Sequence, residues 1–499
     1  MTLRIGTAVR EVSQYSTNGS QPRDSKWMDQ YRDTIRPGSR RLWLVAALAF
    51  GIGTGVCVKA AATRSVWQIG LARKQITPKT PIRLDGYAAR QGPSTGVIHD
   101  IHAKALALQD QNGHRALLIT ADVIGFPAHV SRELCRRIMA RTGLSRAQIL
   151  INPSHTHTGP TIWLSADGRI PKDENIAVFA RYTNTLCDRL AELAAAAFAN
   201  LEPAHLSWAT GKIHFAVNRR EHGTRGVRMG VNEDGYVDRT VPVLSITAID
   251  GRPRGVVFGC ACHNTTLMPK HTEICGDYAG FAQEELERTH VGAQAQFIIG
   301  CAGSTNPRPR GTVEAARQHG KALAAEVSRV LSADLKPISG PLCTELAWVD
   351  LPLAPALPRE ELERQARGRG SLAAVARKTL AAVDAGKELL TSYPAPIAVW
   401  QLGKDMTLVG LSGEVVAEFV PRVQGVLGPE RLWIAGYCNE VFGYLATASI
   451  LREGGYETRG LFHKIGAIAP EAEDGVIQAL CELARKAGRP ECTDAKPKQ

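Results

Sequence analysis

The chain has 499 residues, 44% of them hydrophobic and 22% charged, which fits a globular protein with a large core built as one big domain or two smaller ones. Its net charge of +12 is partly local, because residues 1–62 hold nine Lys/Arg against four acids. The remainder is mildly basic with no Lys/Arg run interleaved with aromatics, which argues against nucleic acid and suits anionic substrates or peripheral contact with a membrane surface.

Residues 1–62 read as an export signal with a long polar extension. Ser39-Arg40-Arg41-Leu42-Trp43-Leu44 opens a mostly apolar run to Val58, followed by Ala60-Ala61-Ala62. A basic region, an apolar core and small residues for cleavage come in that order in a signal peptide, and the paired arginines suit twin-arginine export to the periplasm or beyond the cell. The alternative is a retained anchor, since Leu42–Val58 has 17 residues and lies near the lower limit for a span. Of eleven cysteines, Cys57 falls in this segment. The others show no C-x-x-C pair or regular spacing, so no disulfide framework is expected, and Cys481 with Cys492 is the pair to examine first.

From about residue 66 short apolar runs alternate with amphipathic segments. Helices are expected at Val130–Arg141, Asn175–Asn200, Ala279–Thr289, Val313–Leu331, Glu414–Val426 and Glu471–Ala487. Strands are expected at Ala116–Thr120, Gln148–Ile151, Pro242–Ile246, Gly255–Gly259, Gln296–Gly300, Met406–Leu411 and Leu432–Ala435. Pro358–Leu390, rich in Ala, Arg and Glu, reads as a helical excursion between strands, and the tail at 490–499 as a loose end. The mixture predicts an α/β (α+β) fold in one domain over 63–489: a large multi-layer sandwich of β-sheets flanked by helices.

Five apolar runs end in residues of catalytic type. Ile149–Ile151 leads to Ser154-His155-Thr156-His157-Thr158-Gly159-Pro160, and Val256–Phe258 leads to His263-Asn264-Thr265-Thr266. Phe297–Ile299 leads to Gly300-Cys301-Ala302-Gly303-Ser304-Thr305-Asn306-Pro307, Leu408–Leu411 to Ser412-Gly413-Glu414, and Leu432–Ile434 to Gly436-Tyr437, Asn439 and Tyr444. Open α/β sheets place their sites at strand ends. Alternation along a strand would put His155 and His157 on one face, as zinc ligands or as a hydrogen-bonded pair of core histidines. His, His, Glu and an oxygen donor make a zinc set with one open position. His99, His102 and His271 have no evident partner at the site.

These landmarks resemble the neutral (alkaline, non-lysosomal) ceramidases from about Gly70 to Glu457. The resemblance begins with Ile69-Gly70-Leu71-Ala72-Arg73, Ile76-Thr77-Pro78, Gly86-Tyr87 and Thr95-Gly96-Val97-Ile98-His99, and continues through Ala103–Leu106 and Thr120-Ala121-Asp122. His155–Pro160, Val217-Asn218-Arg219-Arg220, His263–Thr266, Ser412–Glu414 and Asn439…Gly443-Tyr444…Tyr456-Glu457 follow in order. The family resemblance implies one zinc ion held by His155, His263, Glu414 and Tyr444, with His157, Arg219 and Tyr456 on the substrate side. It also implies hydrolysis of a linear amide of an N-acyl amine, a lipid-like acyl amide, by metal-activated water. Tyr444 is an unusual ligand, because a phenol loses its proton only near pH ~10 without help.

Two departures qualify this likeness. Asn306 stands where the ceramidases carry a catalytic serine, and an amide side chain can donate to an oxyanion but cannot be acylated. Only some 40 residues follow Tyr456, where the family has an immunoglobulin-like domain that meets lipid. A different amide or ester is therefore an alternative substrate, and a secreted, non-catalytic binding protein is the non-enzyme alternative. A (β/α)8 amidohydrolase would need further histidines and an aspartate at later strand ends, and a phosphatase-like site more carboxylates.

Overall fold

Side-chain alternation along the apolar strands dictates the layers. In Arg115–Ala121, Leu117 and Ile119 enter one core while Ala116 and Leu118 enter another. Ile149 and Ile151 part from Leu150 in the same way, as do Phe297 and Ile299 from Ile298. Strands that are apolar on both faces must be covered on both.

The computed structural model describes residues 65–489, apart from Gln91, 166–168, 369–370 and 462–465. The export segment, its Arg40-Arg41 pair, the Leu42–Val58 run, Cys492 and the tail at 490–499 lie outside the described residues.

The larger sheet has the spatial order Gln294–Ile299, Pro253–Cys260, Thr240–Ala248, Glu202–Lys212, Trp67–Gln75, His102–Gln109, Arg115–Ala121, Ile149–Pro153, with Lys336–Ile338 added beside Glu202–Lys212. Its two outermost pairings are parallel, with Phe258 opposite Phe297 at one end and Ile119 opposite Ile151 at the other. A second sheet runs Leu342–Pro352, Ser392–Leu402, Met406–Leu411, Leu432–Ala435. The sheets pack face to face through Trp67, Leu118, Leu150 and Ile298 from the first and Trp400, Leu408 and Trp433 from the second. Helices Ala128–Thr142 and Glu174–Ala199 cover one half of the larger sheet's outer face, and Asp277–Thr289 with Val313–Leu331 cover the other. Phe419–Leu427 and Ala472–Lys486 cover the outer face of the second sheet. The result is an αββα sandwich, the layered α/β architecture expected from the sequence.

The expected helices at 130–141, 175–200, 279–289, 313–331 and 471–487 are present with small shifts at their ends, and the Ala/Arg/Glu-rich excursion forms Arg359–Ala366 and Ser371–Asp384. Glu414–Val426 is different: only Phe419–Leu427 is helical. The Glu414 amide donates to Gly443 O at 2.7 Å and the Val416 amide to Leu445 O at 3.1 Å, so this backbone is committed to the strand pair Glu414–Val415 and Tyr444–Leu445. Helix can begin only after those bonds are made. The nine cysteines among the described residues are unbridged, Cys481 being buried on Ala472–Lys486. No helix among the described residues is long and apolar enough to cross a membrane.

Trp400 tests the sandwich. It is buried between the sheets and its indole Nε1 donates to Ala147 O at 3.0 Å. Trp400→Ala is expected to cost about 3–5 kcal/mol in chemical denaturation; a loss below about 1 kcal/mol would contradict a close-packed inter-sheet core.

Candidate metal centre

The functional side chains sit on loops tied together by one amide. Asn152, inside the strand Ile149–Pro153, donates from Nδ2 to Gly436 O at 2.9 Å and accepts at Oδ1 from the Ile299 amide at 2.9 Å. Three strand ends from both sheets are thereby held in one place.

The His155/His157 pair is not arranged by strand alternation. The strand ends at Pro153, and His155 has φ 59°, a left-handed conformation that a non-glycine residue rarely adopts. The Ser154 and His155 amides donate to Ala121 O and Val123 O at 2.8 and 3.0 Å, so the loop and not the pleat aims the first ring. Thr156 and Thr158 hydroxyls both donate to Cys275 O at 2.8 Å, fixing the stretch between the rings. Gly86 (φ 97°) passes so close that a Cβ there would lie 2.4 Å from His157 Nδ1, which leaves glycine as the residue that fits.

The rings converge. His155 Nε2 and His157 Nε2 are 3.2 Å apart, and the ligand nitrogens of His155, His157 and His263 all lie within 4.8 Å of one another. Glu414 Oε2 is 3.5 Å from His155 Nε2 and 3.1 Å from His263 Nε2. Tyr444 bonds the Glu414 carboxylate and accepts from Arg219 Nη2 at 2.9 Å. His155, His263 and Glu414 are 1%, 1% and 4% exposed, so water does not mediate these contacts.

The donor set fits a cation. His155 Nδ1 faces Ile124 O at 2.6 Å and His263 Nδ1 faces Ala302 O at 2.7 Å. A carbonyl only accepts, so each Nδ1 carries the proton and each Nε2 presents a lone pair to a carboxylate that also only accepts. Lone pairs facing each other in a dry site are repulsive unless a positive ion lies among them, and an Nδ1–H held by a carbonyl is the usual support of a metal-ligating histidine. Burial first, then the Arg219 charge, pushes the His263 imidazole down to about 4 against the pull of Glu414, which leaves it in the neutral, ligating form. Burial, then His155 and His263, pushes His157 well below its usual value. Burial alone would raise the Glu414 carboxyl, but the positive surroundings it faces outweigh that and hold it well below the carboxylate range, the polarity a bound cation would also favour.

Arg219 is 3% exposed, so its charge is held in the interior and not at the surface. Its Nε donates to Glu457 Oε1 at 2.9 Å, while Arg220 Nη1 donates to Glu457 Oε2 at 2.6 Å. The Arg219 guanidinium lies 3.3 Å from His263 Nε2 and 5.6 and 5.7 Å from the ring centres of Tyr444 and Tyr456. Tyr456, partly buried, opens the 3-10 turn Tyr456–Thr458, and its ring meets Tyr444 edge-on at 5.7 Å.

Asn306 is on the strand Thr305–Pro307, and its Oδ1 accepts from Thr265 Oγ1 at 3.3 Å. That bond ties it to the loop of His263 and not to the imidazoles. Ser304 is committed elsewhere, donating to Glu418 Oε2 at 2.6 Å and accepting from the Ala417 amide at 3.0 Å. His271 bonds Gly311 O, and His99 lies 3.7 Å from Glu284, both apart from the cluster. Residues given no role from the sequence complete the surroundings: Glu457, Arg220 and Tyr437, which lay in the quoted motifs, and Asn152, which did not. Tyr437 is buried at φ 58° with its ring 4.5 Å from that of His155.

Comparison with known proteins places this arrangement. Residues 67–345 match the family described as neutral/alkaline non-lysosomal ceramidase, N-terminal, a stretch that includes His155, His157, Arg219, His263 and Asn306 and ends before Glu414. Neutral ceramidase B of Dictyostelium discoideum is 23% identical over 262 residues, covering 50% of this chain and 36% of that protein. The neutral ceramidase of Mycobacterium tuberculosis (strain ATCC 25618 / H37Rv) is 27% identical over 241 residues, covering 44% of this chain and 36% of that protein. The chain thus spans little more than a third of the length of these curated relatives. In fold it is similar to the crystal structure of neutral ceramidase from Pseudomonas aeruginosa, with a TM-score of 0.67 at 18% identity over 87% of this chain and 77% of that one. A ceramidase complexed with C2 is similar to the same extent, with a TM-score of 0.66 at 18% identity over 87% of this chain and 77% of that one. With the family pattern running through more than half of the chain, and the sandwich shared with a solved member, this chain belongs to the neutral/alkaline non-lysosomal ceramidase family.

Proposed function

We propose that the chain is an exported, zinc-dependent hydrolase of a linear amide, with an N-acyl amine as substrate. The observation that carries this reading is the meeting of His155, His263, Glu414 and Tyr444, residues up to 289 positions apart, around a dry point where lone pairs oppose each other. Those four residues would hold zinc, which supplies a Lewis acid and a water acidified toward pKa ~7.

The chain's own residues then have distinct tasks. Burial and the Glu414 charge hold the Tyr444 phenol well above its ordinary value; Arg219, donating to its oxygen, works against them and keeps a positive charge beside the reacting carbonyl. Tyr456, on the partly exposed side of Arg219, orients the substrate amide. His157 is kept neutral by burial, and its Nε2 faces the cluster 3.2 Å from His155 Nε2, so through that nitrogen it can take a proton from water and return it to the leaving amine. Water adds its oxygen to the acyl carbon, the C–N bond breaks, and a carboxylate and an amine leave. With Asn306 at the serine position and Ser304 bonded to Glu418, no acyl-serine step is invoked. The relatives named ceramidases and the ceramidase complexed with C2 support a lipid-like acyl amide as the class. Export rests on Arg40-Arg41 and the apolar run to Val58.

Purified protein is expected to contain about one zinc ion per chain and to hydrolyse fluorescent N-acyl amides. Chelation should lower its melting temperature and abolish turnover, and His155→Ala should lose both metal and activity. A zinc-free preparation with full activity would overturn the reading. Replacing Glu457 by Gln leaves two buried guanidiniums without their shared countercharge and is expected to cost about 3–5 kcal/mol in denaturation, with turnover of the folded fraction falling about 10–100-fold. Peptide sequencing of protein recovered outside the cytoplasm should give an N-terminus shortly after Ala60-Ala61-Ala62; a start upstream of Arg40 would reject cleavage.

A further inference from the structure

We propose that Arg90 forms a carboxylate-binding subsite beside the imidazole cluster and that the preferred substrates are N-acyl amino acids, whose amine part carries that carboxylate. This deepens the hydrolase reading above and rests on it. Arg90 is 4% exposed. Its Nη1 donates to Asp85 O at 3.0 Å and to His157 O at 2.7 Å, which pins the guanidinium to the loop of the site. Its Nε and Nη2 are buried and have no partner among the described residues. Those two atoms form one edge of the guanidinium fork, the edge whose parallel N–H bonds match the two oxygens of a carboxylate. Leaving a charged, donor-rich edge buried and unpaired is costly, so an absent acceptor is the economical explanation.

The surroundings favour a negative ligand. The Arg90 guanidinium lies 5.1 Å from the Tyr87 ring centre, and that ring is 4.8 Å from the His157 ring. Arg310 also hydrogen-bonds the Tyr87 phenol, and its Nε donates to the Met268 sulfur at 3.0 Å, a weak acceptor. The nearby acids are occupied by backbone: Asp85 Oδ1 accepts from the Gly86 amide at 2.9 Å, and Asp277 accepts from the Leu267 and Tyr278 amides at 2.8 and 2.6 Å. Two guanidiniums therefore flank Tyr87, and although the Asp85 charge acts on Arg90, no carboxylate oxygen among the described residues bonds its open edge. A carboxylate set one carbon beyond an amide nitrogen is the group that would pair with this edge, with the amide itself on the His157 side. Hydrolysis of such a substrate consumes one water and releases a fatty acid and a free amino acid.

Binding to zinc-stripped protein separates this subsite from the metal. Calorimetric titration with N-lauroylglycine, N-lauroylethanolamine and laurate is expected to show the glycine conjugate binding about tenfold or more tighter than the neutral ethanolamide. That advantage should vanish in Arg90→Gln and be partly retained in Arg90→Lys, which keeps the charge without the fork. In zinc-loaded protein the kcat/KM ratio of the two conjugates should fall by a similar factor in Arg90→Gln. Equal binding of the two conjugates to the unaltered chain, or an advantage that survives Arg90→Gln, overturns the proposal. Laurate binding as tightly as the glycine conjugate, and lost with Arg90, would assign the edge to a product carboxylate and also overturn it. A preserved binding advantage with no turnover of either conjugate would fail the hydrolase reading alone.

Discussion

Opposed lone pairs of Glu414 and two imidazoles, closed off from water, set the terms for everything around them. Such a contact is unfavourable for a bare chain, so the structure must hold it by force of packing and backbone geometry. Among the described residues, five non-glycine residues have positive φ: His155, Asp277, Arg431, Tyr437 and Asn439. His155, Tyr437 and Asn439 lie in the loops that carry or flank the cluster, and Asp277 opens the helix that follows the Cys275 carbonyl. The strain is local and is maintained by the two sheets beneath it.

The sandwich explains how strain of this kind is tolerated. Each loop leaves a strand whose residues alternate into two separate cores, so neither a slip of register nor a rotation is available without exposing apolar surface. The outer parallel pairs of the larger sheet and the parallel pair of the second sheet deliver their ends toward one region, and Asn152 joins them. Beyond the cluster, Glu457 holds Arg219 and Arg220 together in the interior, and Arg219 passes that order on to Tyr444. Charge satisfaction and chemistry are thus one network.

How much of this could be read from the chain depended on distance along it. His155, His157, His263 and Glu414 were legible because each follows a short apolar run, and Val313–Leu331 because its helical period is regular and Thr312 caps it. The reason the first two rings meet was not legible, since it lies in a positive φ and in the Ile124 carbonyl. Glu414 looked like a helix start because nothing local reveals its pairing with Tyr444. Arg219 gave no sign of burial, its partner Glu457 being 238 positions away. Ser392–Leu402 was hidden by Pro394 and Pro396, which read against a strand. Both prolines fall where only Leu342–Pro352 pairs with it, before the Met406–Leu411 partner begins at Ile397.

The clasp made by Asn152 has a consequence for biosynthesis. Its acceptor at Gly436 emerges from the ribosome 284 residues later, after both imidazole loops and the whole of the larger sheet. A nascent chain halted before the second sheet would carry the histidines yet display the inner apolar face that Trp400, Leu408 and Trp433 normally cover. Assembly of the imidazole cluster and final collapse are thereby postponed to the last stage of maturation, and any chaperone that escorts the chain must shield that face until the closing strands arrive.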